Sequence, residues 1–206
     1  QGKARFFFTK ERLMSIQQVV YVVTGTSPCL MHNPASMRSQ GGEMKNAKAT
    51  IPTQEAEAEA GLYKNDDGQL YIPSIALRNS LMGAGVGKKI GKQTAWKMIA
   101  CGAFTIEAEC PLVHPKTGKA LTTYSKINVA RVVLGAGKTA KGIVRARPQI
   151  DQWQTKLVLE IDDDFISAEQ VLQLFALAGR MVGVLDWRPE KKGSYGRYSV
   201  SLAGKK

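Results

Sequence analysis

Acidic residues are almost missing from the middle of this chain. Between Gly68 and Ile150 the only carboxylates are Glu107 and Glu109, against thirteen Lys and Arg. Over all 206 residues, 29 Lys plus Arg stand against 17 Asp plus Glu, a formal charge of +12. That surplus points to a polyanionic partner, with nucleic acid first. Histidine is scarce: His32 and His114 are the two copies, neither close to a cysteine in sequence. No zinc-ligand spacing results, and no metal or cofactor is implied. The three cysteines, Cys29, Cys101 and Cys110, include no Cys-x-x-Cys. An odd, widely spaced set excludes a disulfide scaffold and reads as reduced thiols in a cytoplasmic setting. No apolar run approaches the roughly 18 residues that a membrane span requires, so no membrane partner is expected. What is present is ordinary: 44% hydrophobic and 22% charged residues exclude wholesale disorder. The length suits one decorated domain covering 1–206.

The charge is unevenly distributed, and a partner feels local fields screened over about 8–10 Å rather than the sum. Residues 35–67 form an acidic insertion with Glu43, Glu55, Glu57, Glu59, Asp66 and Asp67. Few large apolar side chains occur there, and Glu alternates with Ala from Gln54 to Ala60. The segment reads as mobile or helical and weakly packed. Residues 88–141 form a basic, Gly-rich insertion region. Lys88-Lys89 alone reads as a solvated face. Thirteen bases interleaved with Gly85, Gly87, Gly91, Gly118, Gly135, Gly137 and Gly142 instead suit amide and Lys contacts to phosphates.

Periodicity orders the elements. The β-branched run at 17–25 predicts a first strand, and Leu70-Tyr71-Ile72 a short one. Pro73-Ser74 opens a helix with Ile75, Leu77, Leu81 and Met82 on one side, ended by glycines. A second helix over 94–100 leads to a strand at 104–109, and 127–134 is a further strand. Residues 142–148 and 153–161 predict an antiparallel hairpin, with Leu157, Leu159 and Ile161 alternating against Lys156, Val158 and Glu160. Ser167 with Gln170 makes a capping-box pattern before Val171, Leu172, Leu174, Phe175 and Ala178, and Tyr198 to Leu202 closes the chain as a strand. Strand, helix, two strands, helix, strand is a ferredoxin-like order. The expected class is α+β, with a ferredoxin-like (RRM-like) antiparallel sheet carrying insertions.

Three segments carry a family resemblance: TGTSPCLMHNP after the first strand, YIPSIALRNSLMGAG at the first helix, and GVLDWRPEKKGSYGRYSV near the end. Together they resemble the RAMP (repeat-associated RNA-binding) superfamily, in particular the backbone subunits of CRISPR effector complexes and related small phage-encoded proteins. In that superfamily a short strand runs into Ile-Pro and a helix carrying an Arg, matched by Ile72, Pro73 and Arg78. A glycine-rich loop precedes the last strand, matched by Gly193 and Gly196 with Tyr195 and Tyr198. The resemblance implies RNA binding and places Arg78 against a phosphate.

The candidate nucleic-acid-binding residues follow. Lys88, Lys89 and Lys92 belong to the basic middle. Lys191, Lys192, Gly193, Tyr195 and Arg197 form a loop that can cradle phosphates while Tyr195 or Tyr198 stacks on a base. Arg145 and Arg147 alternate on one strand and so share a sheet face, where an anion or a carboxylate, Glu160 in the first instance, must neutralise them. His32 and Asn33 sit in a turn, where they contact a nucleotide or stabilise the turn itself. Asp162, Asp163 and Asp164 are consecutive and read as structural acids before a helix. The expectation is a non-enzymatic protein that coats single-stranded nucleic acid, RNA favoured, as adjacent copies of a homo-oligomer, including as the backbone of a CRISPR-like guide-RNA complex. The alternatives are a phage single-stranded DNA-binding or annealing protein, a nuclease using His32 or His114, and a protein-only assembly module.

Overall fold

The computed structural model describes residues 16–34, 52–134 and 141–204. In chain order its strands are β1 (Ile16–Gly25), β2 (Cys29–Leu30), β3 (Tyr71–Pro73), β4 (Lys89–Ile90), β5 (Gln93–Thr94), β6 (Ala103–Thr105), β7 (Glu109–Pro111), β8 (Lys126–Leu134), β9 (Lys141–Ile150), β10 (Gln154–Asp162) and β11 (Tyr198–Leu202). Its helices are α1 (Gln54–Ala60), α2 (Ser74–Ala84), α3 (Ala95–Gly102) and α4 (Ala168–Met181). The architecture is mixed α and β with antiparallel sheets. The larger sheet has the order β11-β1-β10-β6, and a second has the order β2-β9-β8.

Alternation explains the larger sheet. Tyr21 and Val23 of β1, with Leu157, Leu159 and Ile161 of β10, are buried on the face covered by helices. The opposite face pairs Val20 with Val158, Val22 with Lys156 and Gln18 with Glu160. Phe104 is its aromatic contribution from β6, 47% exposed and with the Arg78 guanidinium 5.4 Å from its ring centre.

Helix α4 starts where the sequence pattern places it. Ser167 Oγ accepts the Gln170 amide at 3.3 Å, and the Gln170 side chain accepts the Ser167 amide at 3.1 Å, completing the capping box. Val171, Phe175 and Ala178 are buried, and the Phe175 ring meets Tyr21 and Tyr198 edge-on at 5.9 and 5.5 Å. Gly179 permits a close approach: a Cβ there would run into the Tyr198 carbonyl oxygen, so the helix can lie against β11. In α2, Leu77 and Leu81 are buried, whereas Ile75 is 51% exposed and belongs to the other side.

Three local expectations are corrected. The predicted hairpin of 142–148 with 153–161 does not form, because β9 pairs along its length with β8 while β10 pairs with β1 and β6. The chain switches sheets between Ile150, which pairs with Cys29, and Trp153, whose carbonyl accepts the Gly25 amide. The strand expected at 104–109 is split: β6 joins the larger sheet, and β7 turns away to pair with β3. The third concerns Gln54–Ala60, which is a helix but not weakly packed. Thr53 caps it, Ala58 is fully buried, and Glu57 reaches β9. The rest of the acidic insertion up to residue 51, including Glu43, and residues 135–140 of the basic region lie outside the described residues.

Candidate nucleic-acid interface

The basic residues divide into those the protein neutralises itself and those it leaves in water. Arg145 and Arg147 do share a face of β9, but their partners are Glu57 and Asp186 rather than Glu160. Arg145 Nη1 donates to Glu57 Oε1 at 3.0 Å, and the other oxygen of Glu57 accepts the Ala146 amide at 3.0 Å. That amide lies on the stretch of β9 left open beside β2, so α1 covers a strand edge. Arg147 is 8% exposed, forms an ion pair through Nε with Asp186, and stands 5.8 Å from the centre of the Trp187 ring. Arg78 donates to the Ala103 and Ala100 carbonyls at 2.7 and 3.1 Å, which satisfies orphan acceptors at the end of α3. These placements give all three arginines partners within the chain itself.

Lys88, Lys89 and Lys92, on and beside the β4–β5 turn, are exposed and have no carboxylate partner among the described residues. The same holds for Lys191, Lys192 and Arg197. Lys191 ends a 3-10 turn over Pro189–Lys191, and Lys192 follows it with a left-handed φ of 63°. A groove of about 500 Å³ separates Lys88 and Lys89 from α4, with Leu174 and Leu177 on its helix side.

The glycine-rich loop is built differently from a simple phosphate cradle. Gly193 sits where any Cβ would strike the Trp187 carbonyl, and its amide donates to the Arg188 carbonyl. The Tyr195 ring lies parallel to Trp187, with 6.1 Å between centres and 5° between planes, and its hydroxyl accepts from Asn128 at 3.0 Å. Tyr198 is buried, its hydroxyl 2.8 Å from that of Ser80, so it is a core residue and not a base-stacking one. Burial also raises its pKa above the ordinary phenol value.

Sequence reasoning missed the residues that shape this loop. Leu185 and Trp187 hold left-handed φ angles of 64° and 51°, unusual for bulky side chains. With α2 and the turn after β2, the loop lines a half-open cavity of about 390 Å³. His32 and Tyr63 line one side, Asn79 and Ala76 of α2 another, and Leu185, Asp186, Arg188 and Glu190 the loop side. Asn33 faces away from this role: its amide and side chain donate to the carbonyls of Gly61 and Leu62. His32 is half-buried, and desolvation lowers its pKa; Asp186 opposes this, while Arg147 and Arg145 add to it. The other histidine is occupied locally, with the His114 Nδ1 accepting the Lys116 and Thr117 amides. The one signal available in sequence was the Gly183…Asp186-Trp187-Arg188-Pro189 composition, which marks a turn but not its strain. No group of three metal-ligating side chains exists among the described residues.

No protein-family model matches the sequence, and neither does any curated protein. Among solved structures, the chain is similar to Cmr6 from Pyrococcus furiosus, with a TM-score of 0.48 and 10% identity, over 89% of this chain and 98% of that one. It is also similar to a chain of the Type III-B Cmr-beta complex bound to cognate target RNA, with a TM-score of 0.54 and 9% identity. That match covers 93% of this chain and 62% of the other, so this chain spans less than two thirds of that neighbour. At such identity the likeness is one of fold.

Proposed function

We propose that the chain is a non-enzymatic RAMP-like subunit that binds single-stranded RNA along its exposed lysines and coats it as adjacent copies. The order β11-β1-β10-β6, with α2 and α4 in the two crossovers, supports reading the larger sheet as ferredoxin-like and the chain as one such unit with insertions. A place in a CRISPR-like guide-RNA complex is the version of this reading that the RNA-bound neighbour favours. The observation that carries it is the sorting of charge: Lys88, Lys89, Lys92, Lys191, Lys192 and Arg197 remain exposed with no carboxylate among the described residues, while three arginines are held internally. The open sheet face supports a platform role less well, since among the described residues Phe104 is its one aromatic side chain.

The test combines purification without nuclease, to identify what co-purifies, with filter binding of single-stranded RNA and DNA. Reversing Lys88, Lys89, Lys191 and Lys192 to Glu should weaken RNA binding by about tenfold or more and flatten the dependence of log affinity on log salt by about 3. Circular dichroism should be unchanged, because these side chains hold nothing among the described residues. Unaltered affinity and slope would discard the interface, and equal or tighter binding of DNA would favour the single-stranded DNA-binding alternative.

A further inference from the structure

The cavity beside the free lysines is chemically unlike them. Its charged groups already have partners: Arg188 donates to Glu190 Oε2 from Nε and Nη2 at 3.0 and 2.7 Å and to the Leu185 carbonyl from Nη1 at 2.9 Å. Asp186 is paired with Arg147 and accepts the Trp187 amide. A phosphate entering here finds no uncommitted cation. The uncommitted groups are neutral: the His32 ring and the Asn79 carboxamide have no hydrogen-bond partner among the described residues, and the Tyr63 hydroxyl, which donates to the His32 carbonyl at 3.4 Å, keeps its lone pairs. Burial keeps His32 uncharged at neutral pH, with one nitrogen donating and one accepting. Ala76, Val182 and Leu185 supply apolar wall. The volume, about 390 Å³, is at the small end of ligand pockets, which run to about 300–1,000 Å³.

We propose that this cavity is a binding site for one planar, uncharged nitrogen heterocycle, a nucleobase, held at its hydrogen-bonding edge by His32 and Asn79. The backbone supports a purpose-built wall, since the left-handed Leu185 and Trp187 are conformations that bulky residues adopt only when the surroundings enforce them. Two sources present the same chemistry: a free nucleoside, or a base of the bound strand turned out of its stack. The second rests on the reading of the chain as an RNA-binding subunit, the first does not.

Two arms separate them. Adenosine, cytidine, guanosine and uridine, which carry no phosphate, are titrated into the full chain while the His32 ring resonances are followed by NMR. At least one should shift them saturably, and Asn79→Ala, a change at an exposed helix position, should weaken that nucleoside by tenfold or more. A single-stranded oligonucleotide carrying 2-aminopurine at successive positions is then bound to wild type and to Ala76→Leu, which narrows the cavity without touching a polar group. Fluorescence should rise on binding at particular positions, and Ala76→Leu should abolish the rise while leaving filter-binding affinity within about twofold. Strand binding with no fluorescence change and no nucleoside shift at millimolar concentration would overturn the base site but not the RNA reading. Nucleoside binding without strand binding would keep the site and overturn that reading. A nucleoside shift indifferent to Asn79→Ala would also overturn the assignment.

Discussion

Arg147 shows what one side chain's charge does and does not reveal. Its period-2 spacing from Arg145 is legible in sequence and correctly puts both on one face. Their partners are not, because Glu57 lies 88 residues from Arg145 and Asp186 sits in a loop whose path no local rule specifies. Removing Arg147 should therefore damage stability before it damages binding: Arg147→Ala should cost about 3 kcal/mol, the low end for breaking a buried pair, since Asp186 is 32% exposed. Urea denaturation reads this, and an unchanged midpoint would return Arg147 to the surface. His32 makes a second test. Its folded pKa is below the ordinary value of about 6.5, so between the two values the unfolded chain binds more protons. The stability it contributes is complete above about pH 6.5 and is lost as the pH falls through the folded value. Melting temperatures of wild type and His32→Gln should run parallel above that pH and converge in the mildly acidic range below it. The thiols give a third: Cys101 is exposed, Cys29 is buried, and burial pushes the Cys110 thiol up to about 12. One thiol per chain should react rapidly with a disulfide reagent, and the other two only on unfolding.

Elements were legible in sequence where their signals are local. The capping box at Ser167, the alternation along β10 and the run at 198–202 each depend on residues within a few positions of one another, and each forms as read. Pairing depends on distant partners, and there the reading failed. The short turn after Ile150 looks like a hairpin connection, but the β-branched run of β8 and the carboxylate of Glu57 claim β9 on its two edges. Helix α1 is the informative case, since its Glu-Ala alternation suggests a solvated segment while Glu57 serves as both ion-pair partner and edge cap. Glu57→Ala should cost about 2 kcal/mol, because it strips a charged hydrogen bond from a side chain that is 18% exposed and bares a strand amide. Hydrogen exchange should accelerate in α1 and along β9 and leave α4 unaffected. Uniform acceleration would mean that α1 is integral to the whole core.

At the scale of the molecule, the same pairing bears on assembly. An acidic insertion facing the basic side of a neighbouring copy gives a simple head-to-tail contact, but within the described residues Glu57 and Glu59 are already satisfied by Arg145 and Lys64 of their own chain. The chain carries a formal surplus of +12, and among the described residues Lys88, Lys89, Lys92, Lys191, Lys192 and Arg197 stay exposed, so copies brought together without a counter-charge repel one another. On the proposed reading, phosphates supply that charge, and a strand long enough to run from one set of lysines to the next imposes the repeat. Without nucleic acid the protein should be monomeric by light scattering even at low salt. With long single-stranded RNA it should form regular rods in negative stain, which dissolve as salt rises from 50 to 200 mM. If the lysines and not the acidic helix carry the assembly, as the proposed reading has it, Glu55→Gln with Glu59→Gln should leave the rods intact, whereas the Lys88, Lys89, Lys191 and Lys192 reversal should abolish them. Rods that persist without RNA, or that vanish on neutralising the two glutamates, would show that protein contacts set the array and RNA only follows it.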